Sequence, residues 1–271
     1  MSGLAVCTGW NLEGWHQYGR QFLESFTAKW PLGARLFICG ERSALDLTTR
    51  HATEMFGRGT LRHEVTFVPL DSIAGCAEFL ERHDSNASAH GRERLEGQNW
   101  KERAVAAGYN WRYDAVKFSR QGFIPWHVAK QVLDSHEFLC WLDGDVVTHT
   151  AFASQEVITN LLPAGKSIAY LGREPKHPDI AFQLYRLSDE RALHFLRNFS
   201  LAYEVDDVFR LKEWHSAFVW HNILSRQYFL EGAHNLTPGG SGHVWHQSAL
   251  RAWGDHLKGE RKKSGRSPER R

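Results

Sequence analysis

The stretch Trp141-Leu142-Asp143-Gly144-Asp145-Val146-Val147 places two carboxylates one residue apart, directly after the apolar run 137–142. In α/β sheets, ligands gather at the carboxyl ends of parallel strands. A glycine between two acids lets the chain turn both side chains toward one cation, and hard carboxylate oxygens suit Mg²⁺ or Mn²⁺ bridging phosphates. The other reading of these residues is a plain Asp-Gly turn with solvated side chains. A second pattern, His256-Leu-Lys-Gly259-Glu-Arg-Lys262, carries an imidazole able to complete a metal shell. Its glycine allows a diphosphate to approach the backbone, and its lysine can neutralise one. With 16 histidines in the chain, a basic tail that happens to contain one is the alternative. The two patterns together are far more specific than either alone.

Positioning these residues requires a scaffold, and the chain reads as one. Apolar runs at 4–8, 35–39 and 64–68 alternate with helical periodicity over 12–30 and 45–56, which predicts β-α-β-α-β and a parallel sheet covered on both faces. A short helix is expected at 73–81. The polar segment 83–108 reads as a loop over a site. A helix over 112–133 is expected in two parts, interrupted near Gly122 and Pro125. Then come the strand 137–142, a helix over 154–162, strands over 167–171 and 179–187, and helices over 189–203 and 213–227. The sequence has neither GxGxxG nor GxxxxGK[ST], so a Rossmann dinucleotide site and a P-loop are unsupported.

Composition sets the outer limits. The 271 residues are 42% hydrophobic and 24% charged, enough to bury a core. No apolar run reaches membrane-spanning length, so no membrane span is expected. The N-terminus has no basic region before an apolar stretch, so no secretory signal is expected and the cytoplasm is the expected compartment. Cys7, Cys39, Cys76 and Cys140 are widely spaced, which argues against zinc or disulfide frameworks and for buried free thiols. The net charge of +2 hides an asymmetry. Residues 258–271 hold seven basic residues against two acidic ones, a net +5, which leaves −3 on the rest. Such a tail can touch phosphate-bearing partners or simply be solvated. The eleven tryptophans suit stacking on sugars or bases, and equally ordinary core packing.

On these motifs the sequence resembles the GT-A glycosyltransferases, in particular their retaining, glycogenin-like group. Asp143-Gly144-Asp145 matches the family's DxD, and His256, Gly259 and Lys262 match its C-terminal HxxGxxK. The stretch Tyr109-Asn-Trp-Arg-Tyr-Asp-Ala-Val-Lys-Phe118 precedes the DxD at the family's usual distance. The resemblance spans residues 4–262. It implies a GT-A, Rossmann-like α/β fold, with a mostly parallel sheet flanked by helices in one domain over 1–263, followed by a basic, disordered tail at 264–271. It assigns Asp143, Asp145 and His256 to Mn²⁺ or Mg²⁺. Thr8, Arg112, Asp114, Lys117, Gly144, Gly259 and Lys262 are assigned to the nucleotide-sugar donor. Asp179 lies in Pro178-Asp-Ile-Ala-Phe182, where Ala181 replaces the family's glycine. Glu213, Trp214 and His215 lie in Glu213-Trp-His-Ser-Ala-Phe-Val219, where Ser216 replaces an expected aspartate. These four are the catalytic candidates beside the reacting sugar.

The implied activity is metal-dependent transfer of a sugar, from a UDP-sugar by the resemblance, to a hydroxyl with retention of configuration. Similarity to phage-type members points to a 5-hydroxymethyl-pyrimidine in double-stranded DNA as acceptor, with the host cytoplasm as setting. The tail, the basic residues of 83–103, Trp214 and the Trp245/His246 segment would then grip phosphates and a flipped base. Two other readings compete: a cell-envelope glycan or lipid-linked sugar as acceptor, and a non-catalytic nucleic-acid-binding protein whose Asp pair is only a turn.

Overall fold

The structure is a computed structural model and describes residues 3–92, 108–237, 243–259 and 261–264. Four strands, β1 (Leu4–Trp10), β2 (Ala34–Gly40), β3 (Val65–Pro69) and β4 (Phe138–Leu142), run parallel to one another. The short β5 (Val146–Thr148) follows, then β6 (Ile168–Arg173), β7 (Lys176–Arg186), β8 (Ala233–Asn235) and β9 (Gly254–His256). The main sheet has seven strands in the order β3-β2-β1-β4-β7-β6-β8, with β7 antiparallel to both of its neighbours. Its four parallel strands are short apolar runs, as strands covered on both faces should be. Side chains alternate between two cores. Ala5, Cys7, Leu139 and Trp141 enter one, and Leu4, Val6, Cys140 and Leu142 the other.

Helices cover both faces. Leu12–Gly14 (α1), a π-helical stretch at Trp15–Gly19, Arg20–Lys29 (α2) and Arg42–Gly57 (α3) lie on the second core. Ala74–His83 (α4) and Ala115–Val132 (α5) lie on the first. After the short α6 (Glu156–Thr159), this first face is completed by α7 (Glu190–Glu204), α8 (Ser216–Leu224) and α9 (Gln227–Gly232). The C-terminal region adds α10 (Val244–Gln247) and α11 (Arg261–Ser264). The expected β-α-β-α-β opening is present, and all four cysteines are free and buried. Among the described residues, no helix is long and apolar enough to cross a membrane.

Several expectations are corrected. Helix α5 runs unbroken through Gly122 and Pro125. A Cβ at residue 122 would lie 2.8 Å from the Tyr203 ring and 3.1 Å from the Phe199 carbonyl, so the glycine lets α7 pack close. Both residues are buried, and this packing outweighs the local cost of proline. The helix expected at 154–162 shrinks to the four residues of α6. The helix expected at 213–227 starts only at Ser216, which leaves Glu213 and Trp214 in the preceding loop. The strands β5, β8 and β9 were not anticipated at all. Of the polar segment 83–108, residues 93–107 lie outside the described residues, as do 265–271 of the tail.

Candidate active site

The end of β4 delivers the acidic pair. Asp143 N–H bonds to the Ala181 carbonyl on β7 at 2.9 Å, and Val146 N–H closes a turn onto the Asp143 carbonyl at 3.0 Å. Strand β5 then pairs antiparallel with β9, with Val146 opposite His256. This two-stranded ribbon explains how a histidine 111 residues beyond Asp145 reaches it. Gly144 is pressed against Trp10 and Tyr18, where a Cβ would come within 3.0 Å of both rings, so any side chain would push the acidic loop off its seat.

The structure brings Asp143, Asp145 and His256 together. His256 Nε2 lies 3.1 Å from Asp145 Oδ1 and 4.0 Å from Asp143 Oδ2. Asp145 Oδ1 is buried and makes no hydrogen bond with proper alignment. The ligand atoms of Asp143, Asp145 and His256 lie within 4.8 Å of one another, and this carboxylate–imidazole set fits Mn²⁺ or Mg²⁺. Burial and the neighbouring Asp145 push the Asp143 carboxyl up to about 6. Burial also disfavours the charge on Asp145, but His256 and Lys262 outweigh it and hold that carboxyl low. His256 is itself pushed down by burial, yet Asp145 and Asp179 on either side raise it above the usual imidazole range.

Lys262 Nζ sits 2.8 Å from Asp145 Oδ2. Gly259 has φ +58°, a left-handed conformation that glycine adopts without strain, and Lys262 N–H bonds back to its carbonyl at 3.1 Å. Asp179, on β7, faces the other side of the imidazole, with Oδ1 3.5 Å from His256 Nδ1. Its second oxygen takes Lys258 Nζ at 2.5 Å.

These groups line one cleft of about 980 Å³, together with Arg112, Glu213 and His215. Glu213 Oε2 bonds His215 Nε2 at 2.9 Å, and the Arg112 carbonyl accepts the Trp214 and His215 N–H groups. Burial raises Glu213, but its bond to His215 and the nearby charges prevail and hold it below the usual range.

Four assignments fare differently. Thr8 is wholly buried within β1 and lines neither of the clefts described here, since strand alternation carries its side chain into the core; Asn11, just after the strand, lines the second cleft instead. Trp214 is a core residue, wedged against Tyr113 and Phe209, with Nε1 bonded to the Leu211 carbonyl. Asp114 caps α5 by accepting Lys117 N–H at 2.9 Å and also accepts the Tyr109 hydroxyl at 2.9 Å, so its carboxylate is engaged. Lys117 and Asp114 line the second cleft, of about 800 Å³, beside Asn11 and Glu41 at the ends of β1 and β2. The first turns of α5 divide the two clefts: Lys117 and Arg120 face one, Phe118 and Gln121 the other.

Sequence reasoning missed a supporting relay. Trp141 Nε1 and Gln121 Nε2 donate to Asp143 Oδ1 at 2.8 and 2.7 Å, and the Ser216 hydroxyl donates to Gln121 Oε1. Ser216, standing where an aspartate was expected, thus reaches the acidic pair through Gln121. Lys258 was visible inside the HxxGxxK stretch, whereas nothing in the sequence marked Gln121.

No protein-family model matches the sequence, and no curated protein is significantly similar to it. Among solved structures, mouse xyloside xylosyltransferase 1 in its apo form superposes with a TM-score of 0.52 at 12% identity, over 93% of this chain and 91% of that one. The glycosyltransferase GlyE of Streptococcus pneumoniae TIGR4 overlaps at a TM-score of 0.49 and 9% identity, over 86% of this chain and 45% of that one; this chain thus spans under half of GlyE. The first likeness carries the conclusion, which concerns architecture: this chain has the mixed α/β fold, a mostly parallel sheet between helices, of the GT-A glycosyltransferases.

Proposed function

We propose that the protein is a metal-dependent glycosyltransferase that moves a sugar from a nucleotide-diphosphate sugar to a hydroxyl. The observation that carries this reading is the meeting of Asp143, Asp145, His256 and Lys262 at one point of a cleft, on a fold shared with a xylosyltransferase. A divalent cation held by Asp143, Asp145 and His256 would supply Lewis-acid neutralisation of the diphosphate. Lys262, released from Asp145, neutralises the leaving phosphate, and Gly259 leaves the backbone open to it. Gln121 and Trp141 fix one oxygen of Asp143, so the acid stays oriented whether or not the donor is present. Arg112, Glu213 and His215 face the same space and are the groups available to orient the acceptor hydroxyl. UDP as the nucleotide and retention of configuration belong to the proposal on the strength of the motif resemblance alone.

For the acceptor, the reading favoured is a sugar hydroxyl, as in a cell-envelope glycan or lipid-linked sugar. Trp111 is 45% exposed and lines the cleft beside His215, a surface suited to stacking a sugar ring. Of the clamps named for the hydroxymethyl-pyrimidine DNA reading, Trp214 and Trp245 are both buried and His246 is half-buried. The phosphate grips of that reading, Arg266, Arg270 and Arg271, lie outside the described residues. The test incubates the protein with Mn²⁺ and a panel of nucleotide sugars, adding glycans, lipid-linked sugars or hydroxymethylated DNA, and weighs the products. Mass gain on a saccharide supports the reading, and gain on DNA alone replaces the acceptor. A preparation that binds and hydrolyses no donor returns the protein to the class of non-catalytic binders.

A further inference from the structure

The described residues bring together three groups of side chains with metal-ligand spacing. One is the acidic pair with His256. A second, Asp179 with His243 and His256, already has its cation, because Lys258 Nζ sits 2.5 Å from Asp179. The third is His177, Glu213 and His215, and among the described residues no ammonium lies that close to it. Among the described residues, the arginine or lysine paired with it is Arg112, whose Nε is 4.0 Å from Glu213.

We infer that His177, Glu213 and His215 form a second divalent-cation site, of zinc class, in the same cleft. Glu213 Oε2 lies 2.9 Å from His215 Nε2 and 3.8 Å from His177 Nε2, and the three ligating atoms lie within 4.8 Å of one another. Bonds of about 2.0–2.2 Å to a tetrahedral ion separate ligand atoms by a little over 3 Å, so small side-chain rotations close the set. Two imidazoles and one carboxylate are the donors of an open zinc site, whereas the oxygen-rich acidic pair suits Mg²⁺ or Mn²⁺.

The supports are rigid. His215 is 3% exposed, stands at the N-cap of α8 and is flanked by Trp111 and Phe118, with ring centroids at 4.8 and 6.0 Å. His177 lies near the start of β7 and rests against Phe218 and His221. Burial lowers the His177 imidazole, which favours the neutral form a metal needs. All three side chains line the cleft, so the positions they leave on the ion are open to water or to an acceptor hydroxyl. The site does not depend on the glycosyl-transfer reading.

The test is calorimetric titration of the full chain with Zn²⁺, in the parent and in Asp145→Asn, whose acidic site is disabled. Co²⁺ then serves as a spectroscopic probe of coordination. One zinc equivalent should bind in the parent and in Asp145→Asn. His177→Ala should weaken it by about 100-fold or more, beyond the roughly 10–100-fold that outer partners are worth, and should bleach the visible Co²⁺ bands. His177 is partly exposed, so this variant should keep its fold, which circular dichroism checks. No zinc binding in the parent, binding unchanged in His177→Ala, or binding lost only in Asp145→Asn would each overturn the site. Mn²⁺-dependent binding of nucleoside diphosphate, measured on the same samples, reports separately on the proposed transferase.

Discussion

At the level of single residues, the acidic pair is held in tension. Asp143 and Asp145 share one buried corner, and with no ion present Lys262 supplies the nearest positive charge to Asp145. Metal alone should therefore bind weakly, because it competes with a tethered ammonium. A nucleoside diphosphate should strengthen metal binding by drawing that lysine away. Lys262→Ala should separate the two effects: donor binding falls by about 10–100-fold, the range of a lost charged hydrogen bond, while Mn²⁺ alone binds no worse than to the parent. Titration calorimetry with and without nucleotide reads both. Asp143 gives a test with a defined sign. Its folded carboxyl is raised to about 6, so above that pH its charge costs the metal-free protein stability. Asp143→Asn should raise the metal-free melting temperature at neutral pH by about 2–4 °C, the scale of one kcal/mol in a domain somewhat smaller than this chain. That gain should shrink as pH falls from about 6 toward the unfolded carboxylate value near 4, where both states take up the proton. A melting series in chelator would show it, and a variant less stable than the parent at neutral pH would refute the assignment.

At the level of elements, what could be read from sequence follows from periodicity. The parallel strands β1, β2, β3 and β4 are short apolar runs, and α3 and α7 carry clear apolar stripes, so each showed itself locally. Helix α5 was misread because Gly122 and Pro125 are local breakers whose retention depends on a tertiary contact with α7. The strands β5 and β9 were invisible because three residues carry too little pattern, and their pairing joins segments more than 100 residues apart. The acidic pair and His256 were legible as motifs, but the ribbon that joins them was not. Thr8 and Trp214 turn into the core, because a motif position does not say which face a side chain takes. Two element-level outcomes follow. Gly122→Ala should destabilise the fold by about 1–3 kcal/mol, the cost of overpacking, as read by denaturant titration. A chain ending after Asp255 loses His256, Gly259 and Lys262 and should lose metal-dependent nucleotide binding. A chain ending after Ser264 should keep it, since every candidate site residue lies before that point.

At the scale of the whole molecule, the parallel strands end on one edge, where α5 divides two clefts. One cleft holds the acidic pair, His256, Lys258 and Lys262, and the other collects residues from the ends of β1, β2 and β3. A donor with a charged diphosphate and a separate nucleoside suits this division, and the architecture is shared with a xylosyltransferase along nearly the full length of both chains. The central claim is that this edge cleaves a nucleotide sugar with the help of a divalent cation. The most direct measurement is release of nucleoside diphosphate from a panel of nucleotide sugars, with Mn²⁺ and with chelator, by the parent and by an Asp143→Ala/Asp145→Ala double variant. The account predicts release from at least one donor by the parent, only with metal, and none by the double variant with its fold intact. Release that persists in the double variant or in chelator, or no release from any donor by a folded parent supplied with metal, would contradict it.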